Sequence, residues 1–238
     1  MPGTLLSMLL LSTLAGGPAG VQAAETTGEE PRVELRLVEA GAGELALVFD
    51  IEEGWHIYWH NPGDSGMATT ARLQPGDAAP RFPGPQRFVS EEGNLVTYGY
   101  SGRTALFFTA PKDREELVPR AEARWLVCRE RCVLQEGKAR LSQDELSGLD
   151  SLRRQLPRGV SPDISYRGRT AVVALTGGPF ELFPPVALEE GLEAFRITPT
   201  GLELDLKPGS GPDLPVVLKA HDGDFVTFDL PPPPLTEK

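Results

Sequence analysis

The sequence predicts an all-β fold: a β-sandwich, then a short helix, then a second, smaller β-domain. Three observations lead there. Short runs of aromatic, β-branched or alternating residues recur along the chain with turn signals between them, the pattern of a sandwich. The chain carries 26 glycines and 23 prolines, which suits many turns between short strands. After the first run of strands, one stretch has leucines at helical spacing.

Residues 32–38 (RVELRLV) alternate polar and apolar and read as a half-buried strand, and residues 44–51 (ELALVFDI) read as a second. Residues 54–66 (GWHIYWHNPGDSG) begin as an aromatic strand and end in a turn dense in breakers. Thr69 to Leu73 is a short strand, and Arg81 to Phe88, with its prolines and glycine, is an extended edge segment. Residues 88–100 read as a loop entering a strand, and Thr104 to Ala110 as a further strand. Ala121 to Cys128 and Cys132 to Leu141 are two arms around a turn, completing a first β-domain over residues 30–141.

A connector helix is expected over residues 142–157. Ser142 and Glu145 have the spacing of a capping box, and Leu141 and Leu146 that of a hydrophobic staple. Leu146, Leu149, Leu152 and Leu156 form one apolar stripe, and Pro157 ends the helix. Strand signals then resume between residues 160 and 230, and the prolines of residues 231–238 read as a disordered tail.

Leu5 to Leu14 is an apolar run too short to span a bilayer, followed by small residues and Val21-Gln22-Ala23. That is the layout of a signal peptide cleaved near Ala23, although no Lys or Arg precedes the run. No later run is long enough to cross a membrane. The expectation is an exported, soluble mature chain in a compartment where disulfides persist. The 34 acidic against 23 basic residues speak against nucleic-acid binding, which wants a basic patch.

Cys128 and Cys132 are the only cysteines. Along one straight strand their Cα atoms would lie about 13 Å apart, too far for a disulfide. A three-residue loop of Arg129, Glu130 and Arg131 would set them face to face, and a helical turn would also bring them together. The flanks, Trp125-Leu126-Val127 and Val133-Leu134, favour strands. The bland role for the pair is a structural disulfide. A ring this small gives about 2 kcal/mol in the chain-entropy model, which makes it a poor staple. Arg124, Arg129 and Arg131 would supply positive charge that favours a thiolate. Two cysteines are also the minimum for exchange, one to attack and one to resolve.

Three stretches together carry a family resemblance: residues 54–66, Val96-Thr97-Tyr98-Gly99-Tyr100, and Trp125-Leu126-Val127-Cys128 with Cys132. The combination resembles the periplasmic N-terminal domain of the thiol:disulfide interchange protein DsbD, and more closely its variant in the ScsB proteins. The resemblance is strong over about residues 32–142 and weaker through residues 180–184, 201–204 and 215–218. It implies an immunoglobulin-like β-sandwich, no cofactor, and a periplasmic setting. It implies that Cys128 and Cys132 take electrons from a thioredoxin-like or membrane-embedded reductase and pass them to oxidised client proteins. It also implies that Phe88, Tyr98 and Tyr100 belong to an aromatic cap over the cysteines that opens for the partner. In the family this region precedes a membrane-embedded domain and a thioredoxin-like domain, so here the electron donor is expected on another chain. Two departures stand out. Val133-Leu134-Gln135-Glu136 replaces a common Ile-Pro-Glu after the second cysteine, and His60 stands where another basic or polar residue is common.

Rival readings follow from other residues. An immunoglobulin-like binding module would use the disulfide only to shape a loop. A copper-handling protein would use His56 and His60 with the thiols, but the two imidazoles meet only if the chain turns between them. Asp64 and Ser65 lie in a turn without a nucleophile elbow, against a hydrolase.

Overall fold

The computed structural model describes residues 33–41, 43–76, 78–90, 94–112, 118–143, 146–210 and 213–233. The leader read as a signal peptide and the last five residues of the tail lie outside these.

The first nine strands are β1 (Val33–Glu39), β2 (Glu44–Ile51), β3 (His56–Gly63), β4 (Thr70–Gln74), β5 (Gln86–Val89), β6 (Val96–Ser101), β7 (Arg103–Thr109), β8 (Arg120–Cys128) and β9 (Cys132–Ser142). They pair in the order β5-β6-β3-β8-β9-β1-β2-β7, with β4 added to β8. The end of β9 meets β1 in parallel at only two positions, Leu37↔Leu141 and Val38↔Ser142. That corner folds the strand path into two layers. Between them lie Leu37, Leu45, Leu47, Phe49, Trp59 and Trp125, all buried.

β2 shows why a nearly continuous apolar run forms here. Its odd residues, Leu45, Leu47 and Phe49, face the sandwich interior. Its even residues, Ala46 and Val48, face a second cluster built with Phe107 and Leu152. Strand alternation therefore buries both faces, one under the other layer and one under a helix.

That helix, α1 (Leu149–Arg153), is much shorter than the 142–157 segment expected from sequence. Ser142 is the last residue of β9, paired with Val38, so it is extended rather than capping. The chain turns instead at Gly148, whose φ of 85° lies in the left-handed region. The leucine stripe keeps its role: Leu146, Leu149, Leu152 and Leu156 pack on β2 and β7 residues. Arg153 fastens the helix by donating to Glu44 at 3.0 Å and to the Ala40 carbonyl.

The C-terminal module contains β10 (Arg158–Gly159), β11 (Asp163–Arg167), β12 (Thr170–Ala174), β13 (Glu181–Phe183), α2 (Val186–Gly191), β14 (Leu192–Thr198), β15 (Gly201–Leu206), β16 (Leu214–Lys219) and β17 (Phe225–Leu230). Its two sheets run β10-β17-β16-β13 and β11-β12-β15-β14 around their own apolar core, including Leu188, Leu204, Val216 and Leu218. The short β10, β11 and α2 have weak sequence signals. Phe183, Val217 and Phe225 leave this core and join that of the first sandwich. The two modules are thus packed together: a side chain at Gly84 would collide with the Phe225 ring.

Candidate thiol–disulfide site

β8 and β9 pair without a break from Arg120↔Arg140 to Cys128↔Cys132. Arg129, Glu130 and Arg131 make the loop between them, as the strand-favouring flanks anticipated. The Cα atoms of Cys128 and Cys132 are 4.1 Å apart and the sulfurs form a disulfide. The two cysteines are unequal. Cys128 is 2% exposed, whereas Cys132 is exposed.

The reason lies in β3. His56 is the cross-strand partner of Cys128, and Tyr58, two residues on, shares its face. The Tyr58 hydroxyl donates to Cys128 Sγ at 3.4 Å. The His56 ring lies edge-on to Tyr58 at 5.3 Å and is stacked under Phe88 at 4.8 Å. Phe88, His56 and Tyr58 thus build a wall over Cys128 and leave Cys132 open. Gly66 makes room for it. Its φ is 100°, and a Cβ there would enter the Tyr58 ring. Burial lowers the pKa of His56 and raises that of Tyr58. The imidazole is neutral at neutral pH, and the phenol keeps the proton it donates to sulfur.

The residues expected to form a cap occupy different faces of the sheet. Phe88 lies over the site through His56. Tyr100 does not: it pairs with Ile57, points inward, is buried, and donates to the Pro83 carbonyl at 2.8 Å. Tyr98 also points inward, against Trp59 at 6.4 Å and Phe183 of the C-terminal module at 5.5 Å. Alternation along β6 places both tyrosines on the face opposite the disulfide. Tyr58 took no site role in the sequence reading. Its only sequence signal was its spacing of two from His56.

The arginines separate in the same way. Arg124 is four residues along β8 from Cys128, about 13 Å of strand, and pairs with Glu136 at 3.2 Å. It does not serve the sulfurs. Arg129, in the loop, lies over the Trp55 ring at 5.0 Å. Arg131 is exposed beside Cys132. His60 lies against Trp59 at 3.9 Å and Phe82 at 5.1 Å, an apolar pocket that lowers its pKa to about 4. His56 and His60 therefore occupy separate aromatic settings. Among the described residues no group of three or more His, Cys, Asp or Glu is placed to hold a metal ion.

Asn61 opens the Asn-Pro-Gly-Asp-Ser-Gly stretch and is 3% exposed. It donates to the Pro184 carbonyl and to Glu189 Oε2, both at 2.6 Å, while its Oδ1 accepts from the Gly63 amide at 3.0 Å. The start of the stretch read from sequence as a turn holds the two modules together through Asn61. β3 runs through it to Gly63, and the turn proper follows at residues 64–66.

A disulfide across a hairpin end, one sulfur walled in and one open, sits on a sandwich that matches a known family model over residues 24–143: the thiol:disulfide interchange protein DsbD, N-terminal. The chain belongs to that family. Its fold is also that of the N-terminal periplasmic domain of ScsB from Proteus mirabilis, at 17% identity and a TM-score of 0.55, covering 89% of this chain and 96% of that one. The periplasmic chaperone SfaE aligns at 12% identity over 82% of this chain and 96% of its own, but its TM-score of 0.21 carries no argument. A comparison with curated protein sequences finds no match. The ScsB domain's coverage extends the likeness through the C-terminal module of this DsbD-type chain. Among the described residues no helix is long and apolar enough to cross a membrane.

Proposed function

We propose that this DsbD-type chain is a periplasmic thiol–disulfide exchange domain. It accepts two electrons from a thioredoxin-like or membrane-embedded reductase and delivers them to oxidised client proteins. The observation that carries this reading is the asymmetry of the pair: Cys132 is open and Cys128 is walled in with a hydroxyl on its sulfur.

The steps follow from that geometry. A donor thiolate attacks Cys132 Sγ, the exposed end of the disulfide. The bond between the two sulfurs breaks and its electron pair leaves on Cys128 Sγ. Tyr58 meets the developing negative charge with a hydrogen bond already in place. The donor's second thiolate then attacks its own sulfur in the mixed disulfide and releases Cys132 as a thiolate. The donor ends oxidised and the pair ends reduced. Delivery runs in reverse: Cys132 attacks the client disulfide and Cys128 resolves the mixed species.

Single-cysteine variants test this. Cys128→Ser should trap a mixed disulfide with a thioredoxin-like domain through Cys132. Cys132→Ser should trap little, because Cys128 is buried. Equal trapping by both variants, or by neither, would overturn the reading.

A further inference from the structure

Phe88 covers Cys128 from a strand that does little to hold itself. β5 is four residues long and, among the described residues, pairs only with β6. Gln86, Arg87 and Val89 are exposed, and Phe88 is half-buried. Pairing with β6 and an exposed hydrogen bond from Ser101 to Gln86 fix its register. They do not press it against the site, and a short edge strand with few buried side chains opens at low free-energy cost. Where Phe88 sits therefore depends on the segment that leads into β5.

That segment, Pro83-Gly84-Pro85, is buried although it has no large side chain. Its two prolines fix their own φ angles, so it passes a shift on instead of absorbing it. The Pro83 carbonyl accepts from the Tyr100 hydroxyl at 2.8 Å, and the Gly84 amide donates to the Gln155 carbonyl at 2.8 Å. The C-terminal module closes its buried side. A Cβ at Gly84 would lie between 2.1 and 2.2 Å from three atoms of the Phe225 ring, so the glycine backbone rests directly on that ring. Phe225 opens β17 and lies against Phe183, at 5.6 Å between ring centres. Phe183 in turn meets Tyr98 of β6 at 5.5 Å, and Tyr98 is the cross-strand partner of Arg87, the residue before Phe88.

Phe225 thus supports the lead into the cap strand, and Phe183 supports the strand with which the cap strand pairs. Both rings are turned out of their own module's core and buried in that of the first sandwich. A small module gives up apolar burial that way, and recovers it only against the first sandwich. The Asn61 clamp is a separate contact: it acts on the end of β3 away from His56.

We propose that Phe225, backed by Phe183, is a positioning residue for the cap: the C-terminal module holds Phe88 on His56 and so directs an incoming thiolate to Cys132 alone. The inference rests on the exchange reading, in which Cys132 is the attacked sulfur, and gives the C-terminal module a part in it. Exchange requires a thiolate to reach the sulfur it attacks. With Phe225 in place, the stack of Phe88 on His56 screens Cys128. With the ring truncated, the Pro83–Pro85 segment settles into the space left behind, β5 follows it, and Cys128 becomes a second point of attack. A thiolate attacking Cys128 Sγ would expel Cys132 as the thiolate and leave the mixed disulfide on the wrong sulfur.

The test measures alkylation by iodoacetamide in single-cysteine proteins, Cys132→Ser to report on Cys128 and Cys128→Ser to report on Cys132. Rates are taken at their high-pH plateau, where the thiol is ionised, so that access and not acidity is read. Phe225→Ala should speed the reaction of Cys128 about tenfold or more and leave Cys132 unchanged. Phe225→Leu keeps apolar bulk under Gly84 and should restore most of the shielding. Gly84→Ala drives the segment off the ring and should expose Cys128 with Phe225 intact. Val216→Ala weakens the C-terminal core away from this contact and should leave both rates alone. In the unsubstituted protein one Gly84 Hα points into the Phe225 ring and should resonate well upfield of its usual range, a readout that needs no variant to fold. Unaltered Cys128 rates in Phe225→Ala and Gly84→Ala, equal acceleration by Val216→Ala, or an unshifted Gly84 proton would each overturn the positioning role. Equal reactivity of Cys128 and Cys132 in the two parent proteins would instead overturn the asymmetry on which the exchange reading stands.

Discussion

Replacing Tyr58 by phenylalanine removes one oxygen and leaves the ring that walls in Cys128. In the oxidised protein that oxygen donates to a disulfide sulfur at 3.4 Å. Sulfur in a disulfide is a weak acceptor, so its loss should cost the folded state under about 1 kcal/mol. In the transition state for reduction the same sulfur gains negative charge. A hydrogen bond to a charged group is worth roughly 1.5–3 kcal/mol. Tyr58 is 5% exposed, so water cannot take the hydroxyl's place. Losing the bond should therefore slow disulfide reduction about 10- to 100-fold, at roughly 1.4 kcal/mol per factor of ten. The assay is stopped-flow reduction by dithiothreitol under pseudo-first-order conditions, with urea denaturation of the oxidised protein alongside. A variant reduced as fast as the parent, with unchanged stability, would refute the role given to the hydroxyl. A variant that is destabilised by several kcal/mol would show that the ring had moved, and Gly66→Ala, which crowds that ring, should then reproduce the defect.

Two other outcomes are expected. Asn61→Ala deletes both 2.6 Å bonds to the C-terminal module and should lower stability by about 2–3 kcal/mol in urea denaturation, without slowing reduction by dithiothreitol. His60, buried against Trp59 and Phe82, has a pKa of about 4 when folded against 6.5 when unfolded. Above pH 6.5 neither state is protonated at this residue. Between there and pH 4 only the unfolded state gains the proton, so stability should fall by about 3 kcal/mol across that window. His60→Asn should flatten part of that slope, and an identical slope in the variant would contradict the assignment.

Much of this molecule is legible in local sequence. Alternation finds most strands, since a half-buried strand must repeat every two residues. Strand-forming flanks around three polar residues point to the Cys128–Cys132 hairpin, and the leucines of α1 mark the stripe it buries. The helix start was misplaced because Ser142 has two competing uses. A capping box satisfies a few amides, while an added pair with Val38 extends a sheet, and the nonlocal partner wins.

Local sequence favours the hairpin that joins the two sulfurs, and it marks the aromatic strand beside it and the motifs of the DsbD type. The tertiary structure was needed to show which sulfur is open, that Tyr58 and His56 rather than Tyr98 and Tyr100 stand at Cys128, and that Asn61 clamps the modules. The physical reason is register. Periodicity tells which residues of one strand share a face, but which faces of different strands meet depends on pairing between residues as far apart as His56 and Cys128. That pairing is set by the packing of the whole sandwich.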